Sequence, residues 1–121
     1  MAETIVFPCS SGAEAPERAT LPFIAATTAA VSGQRAIVVC TIEAVRLGTN
    51  GGADGVRAEG HEPLTTLIAT FLGAGGELWL CSACTKPRNI TLEQLIPGAS
   101  IVGAATVVEL IVNGARSVSF A

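Results

Sequence analysis

The chain has 121 residues, a length that suits one domain, residues 1–121, and allows a modest core. Half of it is hydrophobic and only 14% is charged, against roughly a quarter in ordinary soluble domains, and the net charge is −3. Seven scattered Lys and Arg, with no Tyr, form no basic stripe, which argues against nucleic acid, and no apolar run approaches the ~20 residues of a membrane-spanning helix.

The first element is "TIVFPC" (4–9), a β-branched run closed by Pro-Cys. Before it stands Glu3, with no basic region leading an apolar segment, so no signal-peptide pattern is read and a cytoplasmic location is expected. "SSGAEAPER" is a loop with helix-start chemistry, Pro16 at a first-turn position followed by Glu17. "LPFIAATTAAV" (21–31) predicts a helix, with Pro22 in its first turn or kinking it, ended by Gly33. "RAIVVCTI" (35–42) predicts a strand with no polar alternation, the pattern of a strand buried on both faces of a parallel sheet. "GTNGGADG" (48–55) is a Gly-, Asn- and Asp-rich loop, read as flexible.

A second helix is predicted over "EPLTTLIATFLGAGG" (62–76), where Leu64, Leu67, Ile68 and Phe71 share one face. "ELWLC" (77–81) is the third strand. "TLEQLI" (91–96) is a short helix with a capping box, Thr91 and Gln94, and Pro97-Gly98 ends it. "SIVGA" (100–104) is a strand, "ATVVELIVNG" (105–114) a helix with Glu109 toward solvent, and "SVSFA" (117–121) a last strand. Strands alternating with helices predict an α/β fold. The expected form is a small, open, mainly parallel five-stranded sheet with helices on both faces, flavodoxin-like in type. Such sheets bind ligands beyond the carboxyl ends of their strands.

Three of the four cysteines close an apolar strand: Cys9, Cys40 and Cys81. Cys84 comes one helical turn after Cys81. In a parallel sheet the carboxyl ends share an edge, so all four are expected there. The plain reading of Cys9 and Cys40 is that of small apolar residues buried at strand ends. Cys81 reads differently. It lies at a strand-to-loop junction with Lys86 and Arg88 close by, and cations and turn N–H groups favour a thiolate. A zinc site would need two ligands beyond the CxxC; the chain has one His, His61, and neither a second CxxC nor an HxxxH. A thioredoxin-type motif would come after the first strand, whereas this one comes after the third.

The stretch "LWLCSACTKPRNI", continued by "LIPGASIVGAATVVELIVNGARSVSF", resembles the DsrE-like family of small sulfur-relay proteins. The likeness is good over 77–121 and weaker over 1–76, where element order and the apolar first strand carry it. Two positions depart from the family pattern: Asn89 stands where Gly is usual, a mild change because Asn tolerates the left-handed conformation, and Pro87 interrupts the helix after Cys81. The resemblance implies a carrier that holds sulfane sulfur as a Cys81 persulfide, a reversible cap on cysteine. Cys84 is then the candidate resolving thiol, and Lys86, Arg88, Cys9, Cys40 and His61 are supporting residues. Such chemistry needs no metal and no other cofactor. The resemblance also implies a homotrimer or hexamer, together with sulfur donor and acceptor proteins. The mean hydropathy of +0.56 is in keeping with an oligomer that hides part of its surface. The rival reading is a non-enzymatic oligomeric module that holds a small ligand or thiophilic metal at the carboxyl edge, using the "GTNGGADG" loop and His61.

Overall fold

A computed structural model describes residues 2–120. The β-branched and apolar runs form five strands: β1 (Thr4–Cys9), β2 (Arg35–Cys40), β3 (Glu77–Cys81), β4 (Ala99–Val102) and β5 (Arg116–Ser117). All pair in parallel, in the order β4-β3-β2-β1-β5. The chain steps one way from β1 to β4 and then crosses back to set β5 on the far side of β1. Right-handed crossovers therefore send the helices of the outward steps to one face and the returning helix to the other. The first face carries α1 (Pro16–Val31) and α2 (Leu64–Gly73). A single turn, α3 (Ser82–Thr85), continues from β3, and α4 (Ala104–Val112) covers the second face. The expected sheet flanked on both faces is thus the one found. Its strand order differs from the 2-1-3-4-5 of flavodoxin, because the reversal falls between β1 and β5.

Strand alternation divides the core in two. Phe7, Cys9, Val38, Cys40, Leu78 and Leu80 pack beneath α1 and α2. There Phe23 and Phe71 meet edge to face, ring centroids 5.8 Å apart. On the other face Val6, Ile37, Val39 and Trp79 pack against Val107 and Leu110 of α4.

Several boundaries move for physical reasons. The first helix starts at Pro16, before the expected Leu21, and carries Pro22 in its interior. Pro22 has no N–H for the carbonyl one turn back, at Arg18, but Pro22 is buried and the packed layer holds the helix through that gap. β2 stops at Cys40 rather than residue 42, because Ile42 adopts φ +53, outside strand geometry. A 3-10 turn, Ile42–Gly48, comes next. The capping box of Thr91 and Gln94 is present, with Gln94 Oε1 accepting from Thr91 N–H at 3.0 Å, but it opens only the 3-10 turn Leu92–Gln94. α2 and α4 are shorter than predicted, and β5 is reduced to Arg116–Ser117; Ala121, placed in the last strand by the sequence, lies outside the described residues.

The loop read as flexible is anchored in part. Gly48 and Ala53 are buried and a Cβ on Gly52 would lie 1.6 Å from the Arg46 carbonyl oxygen, whereas Asn50, Gly51, Asp54 and Gly55 are exposed. Among the described residues no helix is long and apolar enough to cross a membrane.

Candidate functional site

The parallel sheet brings the ends of β1, β2 and β3 to one edge, and with them Cys9, Cys40 and Cys81. All four cysteines are free thiols. Cys81 and Cys84 are half-buried, whereas Cys9 and Cys40 are buried.

Cys81 ends β3, paired in register with Val102, and is half-buried. By alternation it lies on the face of Trp79, the α4 face. Its backbone is extended, φ −66 and ψ 124, and it is the cap residue of α3. Cys84 is then the third residue of that turn. Cys84 is half-buried and packs against the larger core cluster. Pro87 shapes the end of this segment: α3 ends at Thr85, Lys86–Arg88 continue as a 3-10 turn, and Asn89 closes it in the left-handed conformation, φ 56 and ψ 35. Asn at a position where Gly is usual meets the same backbone demand.

Arg88 braces this segment. Its Nη1 donates to the Cys84 carbonyl at 3.1 Å and its Nε to Glu43 Oε1 at 3.0 Å. Arg46 donates to the other oxygen of Glu43 at 2.9 Å. The Arg46 and then the Arg88 guanidinium hold the Glu43 carboxyl below the usual carboxylate range. The sequence pattern did not single out Glu43 and Arg46, although their i, i+3 spacing signals a helical ion pair. Lys86 is exposed and, among the described residues, forms no ion pair.

Between this segment and the glycine loop lies a cavity of about 510 Å³, lined by Arg46, Thr49, Asn50, Gly51, Gly52, Arg88, Ile90, Glu93 and Gln94. His61 does not line it. Its N–H donates to the Ala58 carbonyl, and its own carbonyl accepts from Arg57 Nε at 2.7 Å. Glu109 is exposed on α4 and helps to line a separate hollow with Arg35 and Trp79.

Cys9 and Cys40 are buried side by side as register partners of β1 and β2. The neighbouring Cys40 thiol lowers the Cys9 thiol below its ordinary value, and the neighbouring Cys9 thiol, with burial, raises Cys40 well above it. The Cys9 thiol also faces the Ser11 carbonyl at 3.5 Å and the Ala19 carbonyl at 3.9 Å. Among the described residues no three His, Cys, Asp or Glu side chains converge as a metal set.

A family model described as the DsrE/DsrF-like family matches residues 3–120. Among solved structures the chain is similar to the ychN protein from E. coli, at 17% identity and a TM-score of 0.80, over 98% of this chain and 99% of that one. It is also similar to MTH1491, a protein of unknown function from Methanobacterium thermoautotrophicum. That match has 17% identity and a TM-score of 0.71, over 98% and 99% of the two chains. No curated protein matches the chain closely enough to count as a relative. At this identity the structural likenesses speak for the fold.

Proposed function

Because the chain belongs to the DsrE/DsrF-like family, a family generally associated with sulfur relay, we propose that it is an intracellular sulfur carrier whose reactive group is Cys81. The observation that carries this reading is the position of Cys81. It is a free, half-buried thiol at the carboxyl end of a central strand, where α3 begins, at the edge at which open parallel sheets hold their ligands.

The chemistry is a pair of thiol exchanges. The Cys81 thiolate attacks the terminal sulfur of a donor persulfide, forming Cys81–S–SH and releasing the donor thiolate. An acceptor thiolate then attacks that outer sulfur and regenerates Cys81. Cys84, one turn on, supplies a resolving step: its thiolate attacks the inner sulfur, forms the Cys81–Cys84 disulfide and releases hydrosulfide. Arg88 fixes the Cys84 backbone, and the exposed Lys86 is the segment's second candidate cation. The carrier works in the cytoplasm as a homo-oligomer, a trimer or hexamer. The exposed apolar residues of α4 (Val108, Ile111, Val112) and of the segment after β5 (Val118, Phe120) supply the contacts between copies.

The test is to load the reduced protein with a sulfane-sulfur donor and locate the adduct by intact and peptide mass spectrometry. The expected gain is one sulfur atom, about 32 Da, on Cys81, absent from Cys81→Ser. Loading that survives in Cys81→Ser and disappears in Cys84→Ala would overturn the assignment.

A second reading, small-ligand binding without group transfer, is favoured by the cavity between the glycine loop and Arg88. Stoichiometric metal or small molecule in the purified protein, with no sulfur adduct on any cysteine, would select it.

A further inference from the structure

Sulfur relay through Cys81 leaves the Cys9–Cys40 pair without a task. The two are register partners at the carboxyl ends of β1 and β2. Neighbouring strands run about 4.8 Å apart, and a disulfide needs Cα atoms roughly 4.4–6.8 Å apart. Both side chains belong to the core cluster beneath α1 and α2, on the same face of the sheet. The spacing of neighbouring strands therefore falls within the range a disulfide spans.

The two thiols differ in access. Cys40 is fully enclosed. Cys9, at 2% exposure, lines a cavity of about 340 Å³ with Ser10, Ser11, Arg18, Pro22 and Phe120. This cavity lies between the end of β1 and the segment after β5, where the strand order reverses. Open parallel sheets hold their ligands at such points. The lining supplies a guanidinium from Arg18 and hydroxyls from Ser10 and Ser11. The near-complete burial of Cys9 selects for a small, uncharged reactant over a peptide-sized one.

We propose that Cys9 and Cys40 form a second reactive dithiol, in which Cys9 is oxidised by a small peroxide entering this cavity and Cys40 resolves the product as an internal disulfide. The Cys9 thiolate attacks one peroxide oxygen. An S–O bond forms, the O–O bond breaks and hydroxide leaves, so sulfur is oxidised to sulfenic acid and the peroxide oxygen is reduced. The Cys40 sulfur then attacks the Cys9 sulfur as its proton is lost. The S–S bond forms, the S–O bond breaks, and the leaving hydroxide takes up the proton as water. In sum, two thiols and one hydrogen peroxide give one disulfide and two waters. The division of roles rests on access: Cys9 lines the cavity, whereas Cys40 is fully enclosed and can meet only Cys9.

The experiment uses a Cys81→Ser/Cys84→Ser double variant, so that the surface thiols play no part. The reduced protein is treated with hydrogen peroxide at equal concentration, alkylated after denaturation and mapped by peptide mass spectrometry. The expected result is a Cys9–Cys40 linked peptide, the loss of both alkylatable thiols, and their return after dithiothreitol. Adding Cys40→Ser should replace the linkage with a Cys9 sulfenic acid that dimedone captures; if that variant does not fold, the linkage in the double variant decides alone. Recovery of both thiols in reduced form, or oxidation of Cys9 to the sulfinic acid without linkage to Cys40, overturns the proposal. With Cys81 and Cys84 absent, neither result bears on sulfur loading at Cys81.

Discussion

Arg88 shows how much a single side chain does at this edge. The sequence marks it as a cation near Cys81, but its bonds run to the Cys84 carbonyl and to Glu43, across the gap between α3 and the turn after β2. It is a brace for the CxxC backbone. Arg88→Ala should lose about 1 kcal/mol through the bond to the Cys84 carbonyl alone, read as a lower urea midpoint, and should slow sulfur loading. Arg88→Lys should not restore either property, because one ammonium cannot reproduce the planar fork that reaches both acceptors. The brace is pH-dependent with a defined sign. The Glu43 carboxyl is lowered, first by Arg46 and then by Arg88. Its contribution is therefore complete above the unfolded carboxylate value of about 4.3 and is lost as pH falls through the lower folded value. The gap between the urea midpoints of wild type and Arg88→Ala should narrow in that acid range to the part due to the Cys84 carbonyl bond. Ile42 adds a second residue-scale feature: a β-branched residue at φ +53, 53% exposed, immediately beyond the end of β2. Strain of this kind gathers at functional edges.

At the scale of elements, the α1–α2 layer packs over Cys9 and Cys40 and sets the turn into β3. Leu64, Ile68 and Phe71 form the buried stripe that the spacing predicts. Phe71 packs edge-on against Phe23, and a Cβ on Gly76 would lie 2.2 Å from the Phe71 ring, so the turn into β3 is built around that ring. Phe71→Ala should cost about 3–5 kcal/mol, measured by denaturant unfolding, and should release the start of β3. α3 is the opposite case. With four residues, it is too short to be stable alone. It is held by Arg88 behind it and by β3 in front, so the CxxC takes its shape from tertiary contacts.

At the scale of the whole molecule the two faces of the sheet are unequal. α1 and α2 bury residues such as Phe23 and Phe71 completely, whereas α4 buries no residue completely. Val108 is 60% exposed and Val112 77%, close to Ile111 and in company with Val118 and Phe120. Exposed apolar residues grouped on the last helix and the last segment suit burial between copies of the chain. Val108→Glu/Val112→Glu should sediment as a single chain with an unchanged circular dichroism spectrum, where the wild type sediments as a multiple. A wild type that sediments as a single chain at working concentration would sink the oligomer.

The alternation of element types, the lack of polar alternation across the "IVV" of β2 and the strand-end cysteines were legible in the sequence, because period and burial are local consequences of composition. The left-handed demand at Asn89 and the capping box of Thr91 and Gln94 were legible for the same reason: each is settled within a few residues. Three things were decided only by the fold. The first is the strand order, since the side on which β5 returns depends on which edge of the sheet the crossover can reach. The second is the continuity of α1 through Pro22, where tertiary burial outweighs a propensity that argues for a break. The third is the meeting of Cys9 with Cys40 as register partners, and of Arg88 with Glu43, because such contacts are a matter of register across strands and loops. The chain by itself placed strand-end thiols at one edge, and the packing of that edge determined that Cys9 and Cys40 lie side by side.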